Sequence, residues 1–582
     1  MSSRARPFAL AALYGVLSVA FCWPLFDHPL GLGTNDWDQH LFYYGVVLKN
    51  VVEYGQMPFW NPWYCGGNVM WQNPQVAVLS PVYPLALLVP LQLAMKINIV
   101  LHYWIGFVGM HVLVTRIIGV TFLPVVIYLA TLVTASGAQA IHLRVGHSVF
   151  LPGFYLPLQL FFVFRALRTG EWKYVLLAGM TMALMVANGG THILPMSIAA
   201  IGCFALVTAI ARRNWRPVAI AVAFGIAALA YSAPKLLPVV QFVQSEQFSD
   251  TRNPTEKPDL VTMQMLKQVY LTPTQDVGAR LPMQRHGWHE YGNYIGVGSA
   301  VALAVGLGAA LWAGGIGIPL AVTTIFLFLL SLGEFSSVAP AVLIRELPLF
   351  SSFRIPSRYS IPFLQFAALS LAWAFHVITR RYTLSTVMRV AVAFVALAAS
   401  AHLIAVNRWN LMDVFTIEAF DTRFSWNSGP RAIDTDTESS AYTPDSPMLR
   451  ALMADRAFLN CYESLQLARG AGSGPPVVDS NAPSRIGDVA FTPNRITFTV
   501  NDGTAPAHVI LNQNWSEGWA SDAGSITAGK PTELSFVDVP PGTTGRLSFR
   551  FVPPGFYLGL GISAAALIAT ALLWRRTLSP TS

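Results

Sequence analysis

The sequence predicts a mainly α-helical bundle of about twelve transmembrane helices, with a β-rich extracytoplasmic domain before the last helix. Of the 582 residues, 54% are hydrophobic and only 11% are charged, far less charge than a soluble protein of this size carries. Apolar runs long enough to cross a bilayer, which takes about 17 to 25 residues, recur along most of the chain. A polar stretch with period-two alternation interrupts them near the C-terminal end. These observations indicate a polytopic membrane protein.

Basic residues follow one side of the predicted membrane topology. With a cytoplasmic N-terminus, the short inner strips contain many Arg and Lys residues and one acid, Glu171. This is the positive-inside pattern, and it predicts a multi-pass membrane protein with both termini cytoplasmic. The same pattern explains the net charge of +8. The predicted partner is therefore membrane lipid, and no nucleic acid is expected to bind. The predicted spans are residues 7–26, 97–115, 120–138, 148–165, 174–190, 192–211, 217–235, 293–313, 316–333, 358–378, 388–406 and 556–573.

This topology divides the chain into three parts. Residues 1–406 form a transmembrane module whose first outer loop, residues 27–95, is the predicted catalytic loop. The loop's apolar end contains two prolines and is expected to be re-entrant or interfacial. Residues 407–553 form a soluble extracytoplasmic domain, and residues 554–582 form the final span and a cytoplasmic tail.

The second half of the soluble domain alternates in the manner of β-strands. Ile496, Phe498 and Val500 face one way, while Thr497 and Thr499 face the other. Short strands of this kind separated by Gly and Pro turns predict a small β-sandwich.

The four cysteines do not form a disulfide framework. Cys22 and Cys203 fall inside apolar runs, which leaves Cys65 and Cys461 as the pair that could meet in an oxidising space. No pattern of spacings supports their pairing, so the sequence leaves this disulfide open.

Polar and ionisable residues gather on strips that this topology places at the outer ends of the spans. Such residues are costly next to lipid, so each is a functional candidate by default. The first loop also contains an aromatic cluster that includes Trp60 and Trp63. The candidates are Asp36, Asp38, His40, His142, Arg144, His147, Asn188, His192, Glu290, Tyr291, Arg354 and Arg358.

Three groups of motifs, in order along nearly the whole chain, carry a family resemblance. The first is Pro58-Phe59-Trp60-Asn61-Pro62 with Gly66-Gly67 and Ser80-Pro81 in the first loop. The second comprises Glu290-Tyr291-Gly292-Asn293 and Phe353-Arg354-Ile355-Pro356-Ser357-Arg358, each entering a span. The third is Asn514-Trp515-Ser516-Glu517-Gly518-Trp519 in the soluble domain. The chain resembles the YfhO-like bacterial membrane proteins, which belong with the GT-C glycosyltransferases.

The resemblance implies a GT-C fold with the active site in the first outer loop. It implies a polyprenyl-phosphate-linked sugar donor, a glycan or lipid-linked acceptor in the cell envelope, and inversion at the anomeric carbon. The Asp-x-x-Gln pattern of such relatives matches Asp36 and Gln39, whereas the Asp-Glu pair of other GT-C enzymes is absent. The general base therefore stays open between Asp36 and Asp38.

The chemistry of such a transfer requires a carboxylate and cations. Asp36 or Asp38 would take the proton of the acceptor hydroxyl as a general base. Arginine suits the departing phosphate because its guanidinium stays charged and can bind two oxygens, which favours Arg354, Arg358 and Arg144.

Other roles compete with each of these assignments. Asp36 and Asp38 could together hold Mg²⁺ or Mn²⁺, although an Asp-x-Asp pattern is more often a solvated turn or helix cap. His142 and His147 are five residues apart, which favours polar interior contacts over metal binding.

The arginines and the aromatic residues also have simpler roles. Arg354 and Arg358 could anchor a span at the headgroup layer instead of binding phosphate. Trp60 and Trp63 could belong to an interfacial belt or stack on a sugar ring.

The predicted function is therefore a membrane glycosyltransferase acting on an extracytoplasmic acceptor. One alternative is a transporter or flippase of lipid-linked sugars, which would use the same cationic and aromatic pocket without making a bond. Another is a non-catalytic envelope assembly protein whose soluble domain does the work.

Overall fold

The computed structural model of the chain describes residues 5–245, 259–273, 276, 279–280, 285–348, 350–351, 353–426, 434–436, 446–459, 477–527 and 534–578. These residues are mostly helical. Short 3₁₀ or π segments occur at Trp23–Phe26, Lys49–Glu53, Val114–Ile118, Ser148–Tyr155, Trp288–Glu290, Pro356–Tyr359, Arg408–Leu411 and Pro483–Arg485. The α-helices are α1 Ala5–Cys22, α2 Trp37–Leu48, α3 Val82–Ala86, α4 Leu91–Leu113, α5 Leu123–Thr134, α6 Gly137–Arg144, α7 Leu156–Thr169, α8 Trp172–Ala187, α9 Ile193–Arg212, α10 Arg216–Gln244, α11 Met263–Leu271, α12 Gly296–Ala313, α13 Gly317–Ser331, α14 Pro340–Ile344, α15 Ser360–Arg381, α16 Thr386–Asn407, α17 Pro447–Met453 and α18 Phe556–Leu578.

The predicted membrane bundle is confirmed. Within the described residues, 10 helical segments are long and apolar enough to cross a membrane. The two remaining predicted spans form shorter apolar helices, α8 with 16 residues and α13 with 15. Many large apolar side chains on α10, α12, α16 and α18 are exposed, as expected for surfaces that face lipid. The chain is a multi-pass membrane protein.

The predicted β-rich region before the last span is also confirmed. Its strands are β3 Asp434–Asp436, β4 Arg456–Phe458, β5 Val477–Ser480, β6 Ile486–Thr492, β7 Arg495–Val500, β8 Ala507–Asn514, β9 Trp519–Ser521, β10 Leu534–Val539 and β11 Gly545–Phe551, after a short hairpin of β1 Trp60–Asn61 and β2 Asn68–Val69 in the first loop. Two antiparallel sheets, ordered β10-β8-β5 and β6-β7-β11-β9, contribute to one apolar core. We call residues 407–553 the β-domain, and the end of the bundle that carries it the outer end.

The alternation in the sequence matches the faces of the strands. Ile496 and Phe498 on β7 are fully buried, and Phe549 on β11 pairs with Ile496 in register. Thr497 and Thr499, which alternate with them, are only partly buried. A period of two residues places successive side chains on opposite faces, so the apolar set builds the shared core.

The first outer loop is folded into the protein and is not an open connection. Every residue of α2 is buried. The apolar end of the loop forms no spanning helix, because it is broken into turns around the five-residue helix α3. Two buried lysines hold the loop. Lys96 on α4 donates to the carbonyl oxygens of Pro29 and Gly31, both at 3.1 Å, and Lys235 on α10 donates to those of Trp71 and Asn73 at 2.6 and 2.8 Å.

The loop and the β-domain form one unit. The indole Nε1 of Trp60 donates to Gln513 Oε1 at 2.8 Å, and its ring packs on Trp519 and Phe551. The backbone N–H of Asn514 donates to the Gly66 carbonyl at 2.9 Å. The sequence-based division at residue 407 therefore separates two parts that are interlocked in the folded chain.

The cysteines follow the same division between apolar runs and outer segments. Cys22 and Cys203 are free thiols, and Cys65 in the first loop is disulfide-bonded. Cys461, which the sequence leaves as the candidate partner of Cys65, lies outside the described residues.

Candidate functional site

The segment that carries Asp36 lies against the loop between α6 and α7. Asp36 N donates to the carbonyl oxygen of Val145 at 3.0 Å, and the Trp37 indole donates to that of Leu143 at 2.8 Å. Gly146 has φ +96, and a Cβ there would lie 2.2 Å from Trp37 N. Glycine is needed at this position, both for the left-handed backbone and for the close approach. These contacts fix the segment that carries Asp36 against the loop between α6 and α7.

As a result, Asp36 faces His147. Asp36 Oδ2 lies 3.1 Å from His147 Nε2, and the Asp36 side chain remains 27% exposed. The carboxylate is therefore oriented by an imidazole and remains partly exposed. His40, one turn further along α2, is buried beside them. Burial lowers the pKa of His40 to about 4, so this imidazole is neutral at physiological pH.

Asp38 has a different environment from Asp36. Its side chain is buried, and its two oxygens accept the backbone N–H groups of Met448 and Leu449, both at 3.0 Å. These amides lie in the first turn of α17, where no intrahelical acceptor is available to them. Asp38 therefore connects the first loop to the β-domain. Each Asp38 oxygen therefore already accepts one backbone hydrogen bond, and a divalent ion shared by Asp36 and Asp38 stays a prediction.

The pKa of Asp38 reflects this position. Burial raises it to about 6, although the amides of Leu449 and Met448 and the charge of Arg450 act in the opposite direction. The desolvation of the carboxylate is the larger effect.

The stability of the protein should depend on pH through Asp38. The folded-state pKa of Asp38 is about 6, above the ordinary value of 3.8, so the protonated carboxyl contributes to the free energy of unfolding. This contribution is full below pH 3.8 and is lost as the pH rises through 6. The shift of about two units corresponds to ~3 kcal/mol. We expect wild type to lose about this much stability relative to Asp38→Asn between pH 4 and pH 7, as measured by thermal unfolding in detergent.

The matched control for this experiment is Glu517→Gln, which changes an exposed carboxylate in the β-domain. Its pH dependence should follow that of wild type. If the wild-type and Asp38→Asn curves run parallel from pH 4 to pH 7, Asp38 does not have the raised pKa.

Behind His147, a second histidine extends the cluster into the protein. His142 Nδ1 lies 3.0 Å from His147 Nδ1, and the His142 ring stacks on Phe150 with centroids 3.8 Å apart. The His147 backbone N–H donates to the His142 carbonyl, which closes the tight connection between α6 and the following 3₁₀ segment. Glu290 contributes an oxygen to the same place. One ligand atom each from His142, His147 and Glu290 all lie within 4.8 Å of one another.

Glu290 also forms a buried ion pair. Arg358 NH2 lies 2.6 Å from Glu290 Oε1, and Arg358 Nε lies 2.8 Å from Oε2, so the guanidinium binds the carboxylate through two hydrogen bonds. Burial raises the carboxyl pKa, but the charge and hydrogen bonds of Arg358 outweigh it and hold the pKa of Glu290 well below its usual range. Arg358 NH1 also lies 3.2 Å from His192 Nδ1. Glu290 is therefore ionised, and most of the charge of Arg358 is already balanced.

The remaining guanidinium groups differ from Arg358. Arg144, the last residue of α6, is half-buried and has no ion pair or hydrogen bond from its side chain to any residue that the structure describes. Arg354 is half-buried in the loop before Pro356, and its carbonyl accepts the Asp259 N–H at 3.4 Å.

Other predicted site residues lie outside the cluster. Trp60 and Trp63 are buried, with 1% and 0% of their surface exposed, so neither ring has a free face for a sugar. The Asn188 amide donates to the Leu184 carbonyl at 3.0 Å within its own helix. The Tyr291 hydroxyl donates to the Asp259 carboxylate. These contacts support the fold around the site.

Two features of the site gave no signal in the sequence. Phe150, whose ring stacks on His142 and His192, is one apolar residue within an apolar run. The amides of Met448 and Leu449 that bind Asp38 are backbone groups, and no residue pattern marks them. By contrast, Lys96 and Lys235 are charged residues within long apolar helices, a pattern that identifies functional or anchoring groups from sequence alone.

The fold and this cluster define a class of protein: a polytopic membrane protein with a carboxylate–histidine–arginine cluster at the outer end and a β-domain interlocked with the first loop. No protein-family model and no curated protein matches the chain.

Solved structures with some likeness include two of the arabinofuranosyltransferase AftD from Mycobacteria, both by cryo-electron microscopy. The match to a mutant form has a TM-score of 0.44 and 17% sequence identity, and it covers 77% of this chain and 32% of the AftD chain. The match to a second AftD structure has a TM-score of 0.41 and 18% sequence identity, and it covers 70% of this chain and 27% of the AftD chain. The matched region thus spans a third or less of the length of each of these two structures.

Proposed function

We propose that the chain is a membrane glycosyltransferase of the GT-C type. It transfers a sugar, with inversion, from a polyprenyl-phosphate-linked donor to a glycan or lipid-linked acceptor at the outer face of the bacterial cytoplasmic membrane. The observation that supports this best is the partly exposed Asp36 carboxylate, held by His147 at the outer end of the bundle. A group at that position can contact both a lipid headgroup and an acceptor in water.

The proposed reaction needs one proton acceptor. The acceptor hydroxyl attacks the anomeric carbon, its proton passes to Asp36, and the bond between that carbon and the donor phosphate oxygen breaks. The bonding electrons leave with the polyprenyl phosphate. Asp36 suits this role better than Asp38, because both oxygens of Asp38 already accept backbone hydrogen bonds inside the protein. His147 orients the Asp36 carboxylate as the partner of a general base.

The phosphate needs a cation whose charge is not already balanced. Arg358 is neutralised by Glu290, which leaves Arg144 as the half-buried guanidinium best suited to a donor phosphate. Arg144 directly follows Leu143, and the Leu143 carbonyl accepts a hydrogen bond from the Trp37 indole. Arg144 therefore lies next to the segment that carries Asp36. Arg354 remains a second predicted phosphate ligand.

The β-domain bears on how the non-catalytic alternative can be tested. Deleting residues 407–553 would remove the amides that bind Asp38 and the partner of the Trp60 indole. The first loop would then lose its support, so both an enzyme and a scaffold would fail. Point variants in the cluster distinguish the two, because a scaffold does not depend on the basicity of Asp36.

The transfer itself can be tested with the purified chain in sealed proteoliposomes, a panel of polyprenyl-phosphate sugars and an envelope glycan extract as acceptor. We expect Arg144→Met to raise KM for the active donor by about 10 to 100-fold, since a hydrogen bond to a charged group contributes about 1.5–3 kcal/mol. Arg168→Met, which changes an exposed arginine at the far end of α7, should leave KM unchanged.

The same experiment can reject the proposal. Movement of the donor across the bilayer without any glycosylated product would favour a flippase. An unchanged KM in folded Arg144→Met would remove Arg144 as the phosphate ligand.

A further inference from the structure

The second histidine of the cluster has no assigned role in the proposed transfer. We infer that His142, His147 and Glu290 form a binding site for one zinc-class divalent ion. This site differs from the Mg²⁺ or Mn²⁺ site that the spacing of Asp36 and Asp38 suggests, both in its residues and in the chemistry of its ligands. Its role at the donor phosphate rests on the proposed function, but the binding of the ion does not.

The positions of the nitrogen atoms are the first argument. His142 Nδ1 and His147 Nδ1 face each other at 3.0 Å. Two lone pairs at that separation repel, so the rings either share one proton or point at a common cation. In a tetrahedral zinc site with bonds of about 2.0–2.1 Å to nitrogen, neighbouring ligand nitrogens are about 3.3 Å apart. The observed spacing is within a few tenths of an ångström of that value.

The second argument is the partner of His147. Its other ring nitrogen, Nε2, lies 3.1 Å from Asp36 Oδ2. A histidine that binds a metal generally donates its remaining N–H to a carboxylate, a backbone carbonyl or water, which fixes the tautomer and leaves the ligating nitrogen with a free lone pair. If Nε2 of His147 donates to Asp36, Nδ1 has its lone pair directed at His142. The arrangement orients His147 for metal binding.

Glu290 supplies the third ligand. A carboxylate oxygen has more than one lone pair, so Glu290 can accept from Arg358 and still offer a lone pair to the ion. Hydrogen bonds to a ligating carboxylate are usual around metal sites, and Arg358 would have that role here. The sequence argued against metal binding because five residues separate the two histidines. That spacing rule applies to a single helix, whereas α6 ends at Arg144 and the chain turns back at Gly146.

The donor set selects the kind of ion. Imidazole nitrogen suits zinc and its transition-metal neighbours, whereas Mg²⁺ prefers oxygen ligands in octahedral geometry. Two histidines and one glutamate also leave a fourth position open, as in catalytic zinc sites. In the proposed transfer, that position would take an oxygen of the donor phosphate and stabilise the charge that develops there.

The test is metal binding by the full chain, purified in detergent with a histidine-free affinity tag and stripped with a chelator. Zn²⁺ affinity is measured by competition with a chromophoric chelator, and the bound Co²⁺ form by its visible absorption. We expect one Zn²⁺ per chain, a tetrahedral Co²⁺ spectrum, and no displacement by millimolar Mg²⁺. His147→Ala should lower the affinity by more than about 100-fold, and Asp36→Asn by about 10 to 100-fold.

His508→Ala is the matched control, since His508 is a histidine at the surface of the β-domain, paired with Asp538. It should bind Zn²⁺ as wild type does. Thermal unfolding in the absence of metal establishes that each variant is folded. If His147→Ala does not fold, the isosteric Asp36→Asn still tests the site. Absence of Zn²⁺ binding by wild type, or the same affinity in folded His147→Ala or Asp36→Asn, would overturn the site and leave a proton shared by two histidines. Because no sugar is present, this outcome is separate from failure of the proposed transfer.

Discussion

Replacing Asp36 with asparagine is expected to lower the rate of sugar transfer by about 10²–10⁴-fold, the usual contribution of a general base. Asparagine has the same shape as aspartate and can still accept a hydrogen bond from His147, but it cannot take a proton from the acceptor hydroxyl. The loss should therefore appear in kcat, with a small change in KM for the donor. The measurement is turnover by the purified chain with a polyprenyl-phosphate sugar.

Asp38→Asn is the internal control, because it makes the same chemical change two residues away. We expect its turnover to stay within about tenfold of wild type at temperatures where it is folded, since Asp38 binds backbone amides and not substrate. Both variants are assayed with and without added Zn²⁺, so that loss of the base is separated from weaker metal binding. Wild-type turnover in Asp36→Asn, or equal inactivation of folded Asp38→Asn, would reverse the assignment.

The largest expected effect on stability concerns the ion pair of Glu290 and Arg358. Their side chains are 5% and 11% exposed, so removing one partner leaves a charge inside the protein without its counter-charge. Breaking a buried pair in this way costs about 3–5 kcal/mol. We expect Glu290→Gln and Arg358→Met each to lower the thermal unfolding temperature clearly, and the double variant to recover part of that loss. The recovery distinguishes a paired charge from simple loss of packing.

The surface pair of Arg423 and Asp421 provides the matched comparison. Its Nε–Oδ1 distance is 3.0 Å, but the side chains are 72% and 62% exposed. Arg423→Met should therefore leave the unfolding temperature unchanged, because solvent already screens the interaction. Additive losses in the Glu290 and Arg358 double variant would show that the two side chains do not stabilise the protein as a pair.

Much of the fold could be predicted because hydropathy and alternation are local properties. Each of the twelve apolar runs coincides with a helix, and the alternating residues around Phe498 and Phe549 form the core of the β-domain. The grouping of the site was predictable in part. One membrane topology places the strips around His147, Glu290 and Arg358 at the same end of the bundle, and the structure brings these residues together.

The geometry within that group could not be predicted. Sequence spacing treats Asp36 and Asp38 as equivalent, whereas the structure gives one a histidine and the other two backbone amides from a helix about 410 residues later in the chain. Trp60 and Trp63 have the composition of a sugar-binding platform, but the β-domain and the helices cover them. Burial by a distant segment leaves no trace in the residues that are buried.

The sequence by itself determined that this chain crosses a membrane many times, that a β-domain precedes the last span, and which polar strips share one end. These features follow from the cost of placing charge in lipid and from the two-residue period of a strand, and both are set by neighbouring residues. Only the tertiary structure decided which carboxylate is accessible, which arginine is neutralised and which histidines face each other. Those outcomes depend on contacts between distant segments, where differences of an ångström decide whether a group is paired, buried or available.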